Sequence, residues 1–151
     1  INPIVVDIDD EKLGMARQLG ASATINSSEE DAAEKLLELT EGGARSVVDF
    51  VGAEASVNFG YNLLARGGSY VIVGLFGGQI SLPLPLQALT EKKLMGSYVG
   101  SLGDMAELME LVVAGKIDPV AVETRDVSKA NETLKELKDG DLLGLVALTH
   151  D

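Results

Sequence analysis

The sequence predicts an α/β fold: a doubly wound, Rossmann-like parallel sheet. Three observations carry this. Strand-like and helix-like stretches alternate with short joints. The opening strand is a nearly unbroken run of Val and Ile, as in sheets buried on both faces. Acidic first turns and glycine stops punctuate the helices between them.

The first strand is "IVVDI", residues 4–8, and it runs straight into a helix led by Asp9, Asp10 and Glu11. Leu13, Ala16 and Leu19 recur there at helical spacing, and Gly20 closes the turn. "ATIN" is a second strand. "SSEEDAAEKLLELTEGG" is a helix with two capping-box spacings, Ser27 to Glu30 and Ser28 to Asp31, an apolar stripe of Ala33, Leu36 and Leu37, and a Gly42-Gly43 stop. "SVVDFVG" is the third strand, "EASVNFGYNLLARGG" the next helix, and "SYVIVGLFGG" the fourth and most apolar strand. In "QISLPLPLQALTEKK" the prolines predict a sheet edge or loop. "KLMGSYVGS" is a further strand, and a helix over 101–115 is expected to bury Met105, Leu108, Met109 and Val112. "VSKANETLKELKDG" is the last helix, with Ser128 as its cap, and "LLGLVAL" the final strand. There is no internal repeat, linker or low-complexity segment.

Composition narrows the function. Of 151 residues, 24 are acidic and 12 basic, a formal net charge of −12 that repels nucleic acid and anionic lipid. With no cysteine and a single histidine, His150, the chain has no disulfide, no thiol nucleophile and no ligand set for zinc. No apolar stretch is long enough to span a membrane and no signal peptide is visible, which predicts a soluble, cytoplasmic protein.

Open parallel sheets bind ligands at the carboxyl ends of their strands, and dinucleotide sites use a G-x-G-x-x-G turn after the first strand. That turn is absent from this sequence. An acid that binds ribose hydroxyls lies about 20 residues beyond the glycine turn in such folds. Asp7 suits that post, and counting back from it runs past Ile1. The expectation is therefore a sheet truncated before its second strand. The alternative is that Asp7 only solvates a turn or caps the helix.

Several segments, in order and with fitting gaps, carry a resemblance: "VVDIDDEKLGMARQLGA", "VVDFVG", "LLARGGSYVIVGLFGG", "LPLPLQALTEKKLMGSYVGS" and "LVVAGKIDP". Together they resemble the C-terminal, NAD-binding half of medium-chain zinc-dependent alcohol dehydrogenases. The resemblance implies that Asp7 and Lys12 bind the adenosine ribose and Ile8 packs on adenine. Phe50, Val51 and Gly52 would line the cofactor groove. The backbone of Val73, Gly74 and Leu75, and of Ser97, Tyr98 and Val99, would hold the nicotinamide. An acid at Asp7 disfavours a 2′-phosphate, so NAD rather than NADP is expected. Residues 1–151 would form a partial dinucleotide-binding domain, with 117–151 returning toward a catalytic domain.

The resemblance further implies a small alcohol or carbonyl substrate, zinc held by residues outside this chain, no catalytic residue within it, and inactivity of the chain alone. It also implies a homo-oligomer formed through residues 78–100. One position departs from the family: Leu145 stands where an arginine usually meets the cofactor pyrophosphate. Two other readings share parts of the pattern. The opening and "LLARGGSYVIVG" also resemble class I S-adenosylmethionine methyltransferases, although the C-terminal third fits dehydrogenases better. A non-catalytic oligomerisation module is the third.

Overall fold

The computed structural model describes residues 2–117, 122–142 and 144–150. Expectations that touch Ile1, residues 118–121, Leu143 or Asp151, including the last two residues of the "GKIDP" exit, lie outside the described residues. The chain forms two compact units, residues 1–99 and 100–151.

In the first unit, strand β1 (Ile4–Asp7) leads into helix α1 (Asp10–Gln18). Asp9 caps that helix, its carboxylate accepting from the N–H groups of Glu11 and Lys12. Leu13 is buried on its inner face, but Leu19 lies beyond the last turn and is 82% exposed, so the expected stripe ends one turn early. Strand β2 (Ala23–Asn26) pairs in parallel with β1, Ile4 opposite Ala23 through Asp7 opposite Asn26. Helix α2 (Ala32–Leu39) starts later than the capping-box spacings predict, because residues 27–31 are taken up by turns. Its cap residue, Asp31, makes no capping hydrogen bond through its side chain.

Strand β3 (Ala44–Asp49), helix α3 (Glu54–Asn62), strand β4 (Leu64–Ile72) and strand β5 (Lys93–Gly96) build a second parallel sheet in the order β3-β4-β5. The glycine pair at 67–68 is not the stop of α3. It sits inside β4, where the six residues from Leu64 to Ser69 run alongside only the three from Ala44 to Ser46. A backbone detour of that size needs the positive φ of Gly67, +74°.

The proline-rich stretch is also corrected. Instead of an edge strand, residues Leu84–Thr90 form helix α4, with Pro83 as cap and Pro85 in the first turn. A proline there removes only an N–H that has no intrahelical partner. Among the described residues the edges of this sheet are β3 and β5.

Two small cores hold this unit. Ile25, Ala32, Leu36 and Leu63 form one, joined by Ile4, Ala33 and Phe59. Val57, Tyr61, Leu64 and Tyr70 form the other, flanked by Val47, Ile72, Ile80, Leu82 and Leu94. The Tyr61 and Tyr70 rings meet edge to face at 6.2 Å. Lys92 closes the α3 end, donating to the carbonyls of Tyr61 and Asn62. Among the described residues β1 pairs with β2 alone and β3 with β4 alone, and the two sheets share no strand.

The second unit holds helix α5 (Leu102–Val113), strand β6 (Val122–Asp126), a 3₁₀ turn, helix α6 (Ala130–Asp139) and strand β7 (Leu145–Thr149), with β6 and β7 parallel. Ser101 and Asp104 form a reciprocal capping box at the start of α5. Met105, Leu108 and Met109 are not buried as expected and keep 44–54% exposure. The last helix is entered through Asp126, which accepts from the Ser128 N–H; Ser128 is not its cap. Arg125 joins β6 to α6, its guanidinium reaching Glu123 and Glu136, each at 2.7 Å.

Candidate functional site at the strand ends

Every predicted site residue lies in the first unit, and all but Lys12 follow or close the carboxyl end of a parallel strand. Asp7 ends β1. One of its oxygens, Oδ1, accepts from the N–H groups of Ile8 and Asp9 and so fixes the turn into α1. Oδ2 accepts no hydrogen bond among the described residues. The turn role and a ligand role are therefore compatible, one on each oxygen. Lys12 sits one turn into α1 and reaches back to Asp9 at 3.6 Å, a surface pair of small energetic weight. Sequence reasoning passed over Asn26. Its amide donates to the Ile8 carbonyl and to Asp10, pinning the same loop from β2.

The register aligns the other nine. Asp49 stands opposite Ile72, and Ile72 opposite Gly96, so Phe50, Val73 and Ser97 leave three adjacent strands at one level. The Asp49 carbonyl accepts from the Val73 and Gly74 N–H groups at 2.8 and 3.0 Å, and Ser97 N–H donates to the Ile72 carbonyl at 2.8 Å. Beyond them, Phe76 and Gly77 donate to the carbonyls of Val51 and Gly52. The turns at 50–52 and 73–76 are thus one hydrogen-bonded surface.

Two glycines permit that approach. At Gly52, φ is +66° and a Cβ would lie 2.0 Å from the Gly74 carbonyl oxygen. At Gly74 a Cβ would lie 2.2 Å from the Val51 carbonyl carbon. Asp7, Ile8 and Lys12 belong to the other sheet, and no strand pairing joins them to these nine among the described residues.

The exposed faces are apolar. Ile8, Phe50, Leu75, Tyr98 and Val99 each keep between 72% and 79% of their surface in water. Side chains of this kind at the ligand-binding end of a sheet suit a flat, partly apolar ligand. A cleft of about 310 Å³ opens beside them, between Gly52, Ala53 and Glu54 at the start of α3 and residues 74–80. Asp49 lies beneath the surface. Burial pushes its carboxyl upward, but the N–H groups of Gly52 and Val51 and the hydroxyls of Ser56 and Tyr70 outweigh that and hold it below the ordinary carboxylate range. Burial, and then the Asp49 carboxylate, hold the Tyr70 phenol well above its usual value. Among the described residues no group of three or more His, Cys, Asp or Glu side chains could hold a metal ion. No described helix is long and apolar enough to cross a membrane.

Parallel strands with helices between them and a turn-built surface at the strand carboxyl ends define an α/β unit of the Rossmann class. The sequence model of one family, the zinc-binding dehydrogenases, matches residues 1–114, and the chain belongs to that family. It is 35% identical over 142 residues to an NAD-dependent alcohol dehydrogenase of Sulfurisphaera tokodaii, covering 93% of this chain and 41% of that protein. With an alcohol dehydrogenase of Geobacillus stearothermophilus it shares 33% identity over 151 residues, all of this chain and 44% of that one. The crystal structure of the alcohol dehydrogenase from Aeropyrum pernix superposes with a TM-score of 0.90 at 33% identity, covering 99% of this chain and 43% of that one. The chain thus spans less than half the length of these relatives. The family membership sets aside the methyltransferase reading.

Proposed function

We propose that this chain is the NAD-binding part of an alcohol dehydrogenase, an oxidoreductase that moves hydride between a small alcohol or carbonyl compound and nicotinamide. The observation that supports it best is the joined surface of turns 50–52 and 73–76, with the β5 end beside it. NAD, when bound, supplies the hydride acceptor and donor at its nicotinamide ring.

In this reading the Asp7 Oδ2 accepts from the adenosine ribose hydroxyls while Oδ1 keeps the turn, and Lys12 reaches the same ribose. Ile8 offers an apolar face to adenine. Phe50, Val51 and Gly52 line the groove, and the backbone of Val73, Gly74 and Leu75 and of Ser97, Tyr98 and Val99 positions the nicotinamide. Zinc and its ligands lie outside this chain, so the chain alone oxidises no alcohol. A further strand pairs between β1 and β3, and residues 117–151 return toward a catalytic domain. Copies associate through residues 78–100, where Leu84, Leu86 and Leu89 are exposed on α4 and β5 offers an unpaired edge.

The test is amide NMR of this chain with NAD added to millimolar concentration, which reads weak binding directly. Saturable shifts at Ile8, 50–52, 73–75 and 97–99 are expected, without NADH formation when alcohol and zinc are added. Shifts absent from these positions would overturn the reading.

A further inference from the structure

We propose that Asp49 is a positioning residue: with Ser56 and Tyr70 it locks the two cofactor-facing turns, 50–52 and 73–76, into one fixed surface. The inference rests on the NAD-binding reading above and deepens it by naming what sets the nicotinamide side of the site.

The chemistry of the carboxylate is the argument. A carboxylate is an acceptor only, with about four lone-pair directions. Here all four meet donors. Oδ1 accepts from the N–H groups of Val51 and Gly52 at 2.9 and 3.0 Å. Oδ2 faces the Ser56 and Tyr70 hydroxyls, both at 2.9 Å; each hydroxyl has one proton and a second acceptor at 3.0 Å, the Ala53 and Ser56 carbonyls, and the charged carboxylate is the stronger acceptor. The same residue's carbonyl holds Val73 and Gly74. Among the described residues Asp49 is therefore the one residue outside the two turns that bonds to both, to one through its side chain and to the other through its main chain.

The neighbours are arranged around that carboxylate. Ser56 Oγ also accepts from the Ala53 N–H at 3.1 Å, tying the start of α3 to the same point. The Tyr70 ring is 1% exposed, and Gly60 on α3 makes room for it, since a Cβ there would lie 2.8 Å from the ring. None of these three side chains is on the exposed face that the ligand would meet. Burying an acid beneath a binding surface costs stability unless its bonds are complete, and charge-assisted bonds are about twice as strong as neutral ones. The arrangement fixes the donor and acceptor directions of residues 51–52 and 73–74 before any ligand arrives, which lowers the ordering cost of binding.

The experiment splits the cofactor. Nicotinamide mononucleotide probes the turns at 50–52 and 73–75, and AMP probes Asp7, Ile8 and Lys12. Amide NMR titrations with each are run on the chain and on Asp49→Asn, a near-isosteric change that removes the charge and turns two acceptor directions into donors. Loss of charge-assisted bonds predicts a weakening of the mononucleotide by about tenfold with AMP unchanged. The Val51 and Gly52 amide protons should also lose their carboxylate-bonded downfield shifts without ligand. Tyr70→Phe, which deletes one hydroxyl donor and keeps the ring, gives a smaller loss in the same direction if Asp49→Asn does not fold. Equal weakening of both probes, or unchanged mononucleotide binding, overturns the inference alone. If the mononucleotide never shifts the turns of the unaltered chain, the NAD reading fails, and the positioning role falls with it.

Discussion

Gly52→Ala tests whether the joined turns depend on close backbone approach. At φ +66° an alanine pays the left-handed penalty, about 1–2 kcal/mol. Its Cβ would then lie 2.0 Å from the Gly74 carbonyl oxygen and 2.4 Å from the carbonyl carbon. Both contacts are backbone, so no side-chain rotation relieves them. Separation to a tolerable 3.0 Å needs a shift of 1 Å, the difference between those two distances. A shift of that size breaks bonds that now measure 3.0 and 3.1 Å, from Gly77 to Gly52 and from Phe76 to Val51. Each is worth about 1 kcal/mol net. The sum is roughly 3–4 kcal/mol of destabilisation.

Gly14→Ala is the control. It lies inside α1 with nothing within 4 Å of the new Cβ, and it should gain about 0.5–1 kcal/mol. The assay is urea unfolding followed by tyrosine fluorescence, since the three tyrosines, Tyr61, Tyr70 and Tyr98, all report on the first unit. A Gly52→Ala protein as stable as the unaltered chain would refute the reasoning.

Three further outcomes follow from the same structure. Asp7→Gly should weaken NADH more than NADPH, because it removes an acceptor for ribose hydroxyls and relieves repulsion of a 2′-phosphate; an unchanged ratio of dissociation constants leaves Asp7 a turn residue. Asp49 is held below its ordinary 3.8, so its stabilising effect is complete above that value and is lost as pH falls through the lower folded value. Tyr70 is held above 10.0, so its effect is complete below pH 10 and is lost on the alkaline side. Urea midpoints against pH should show both losses, and Tyr70→Phe should flatten the alkaline one. Light scattering should find at least a dimer, which Leu86→Lys with Leu89→Lys weakens; a monodisperse monomer at high concentration would exclude association through residues 78–100.

The helix and strand alternation was legible because it rests on periodicity and strong punctuation. β2 has the predicted bounds, and β1 and α1 fall within a residue or two of them. What failed was local punctuation with two meanings. Gly67-Gly68 reads as a helix stop, yet the register of β3 against β4 makes it a strand bulge. Pro83 and Pro85 read as edge signals, yet two prolines also suit a helix start. Only long-range pairing decides between such pairs of meanings, and a local reading of the sequence does not contain it. Asp7 was legible from the spacing rule for a strand-end acid, the other candidate site residues came from the family resemblance, and the structure adds the alignment of nine of them across β3, β4 and β5.

Asp49 was overlooked in the sequence as well as Asn26, although a signal was present. In "VVDFVG" an acid interrupts a run of apolar residues that a parallel sheet would bury. A carboxylate at such a position is unfavourable unless bonded throughout, so its presence asks for donors nearby. The sequence holds them: Val51 and Gly52 lie two and three positions on, Ser56 seven, and Tyr70 is on the next strand. Asp7 poses the same question at the end of β1 and receives a different answer, with one oxygen bonded to its own turn and the other without a partner among the described residues. The two strand-end acids therefore divide the work. The saturated one fixes a surface, and the half-saturated one retains capacity for a ligand hydroxyl. In the proposed reading, the four donors around Asp49 mark a positioning role, and the two on Asp7 leave an oxygen for a ribose hydroxyl.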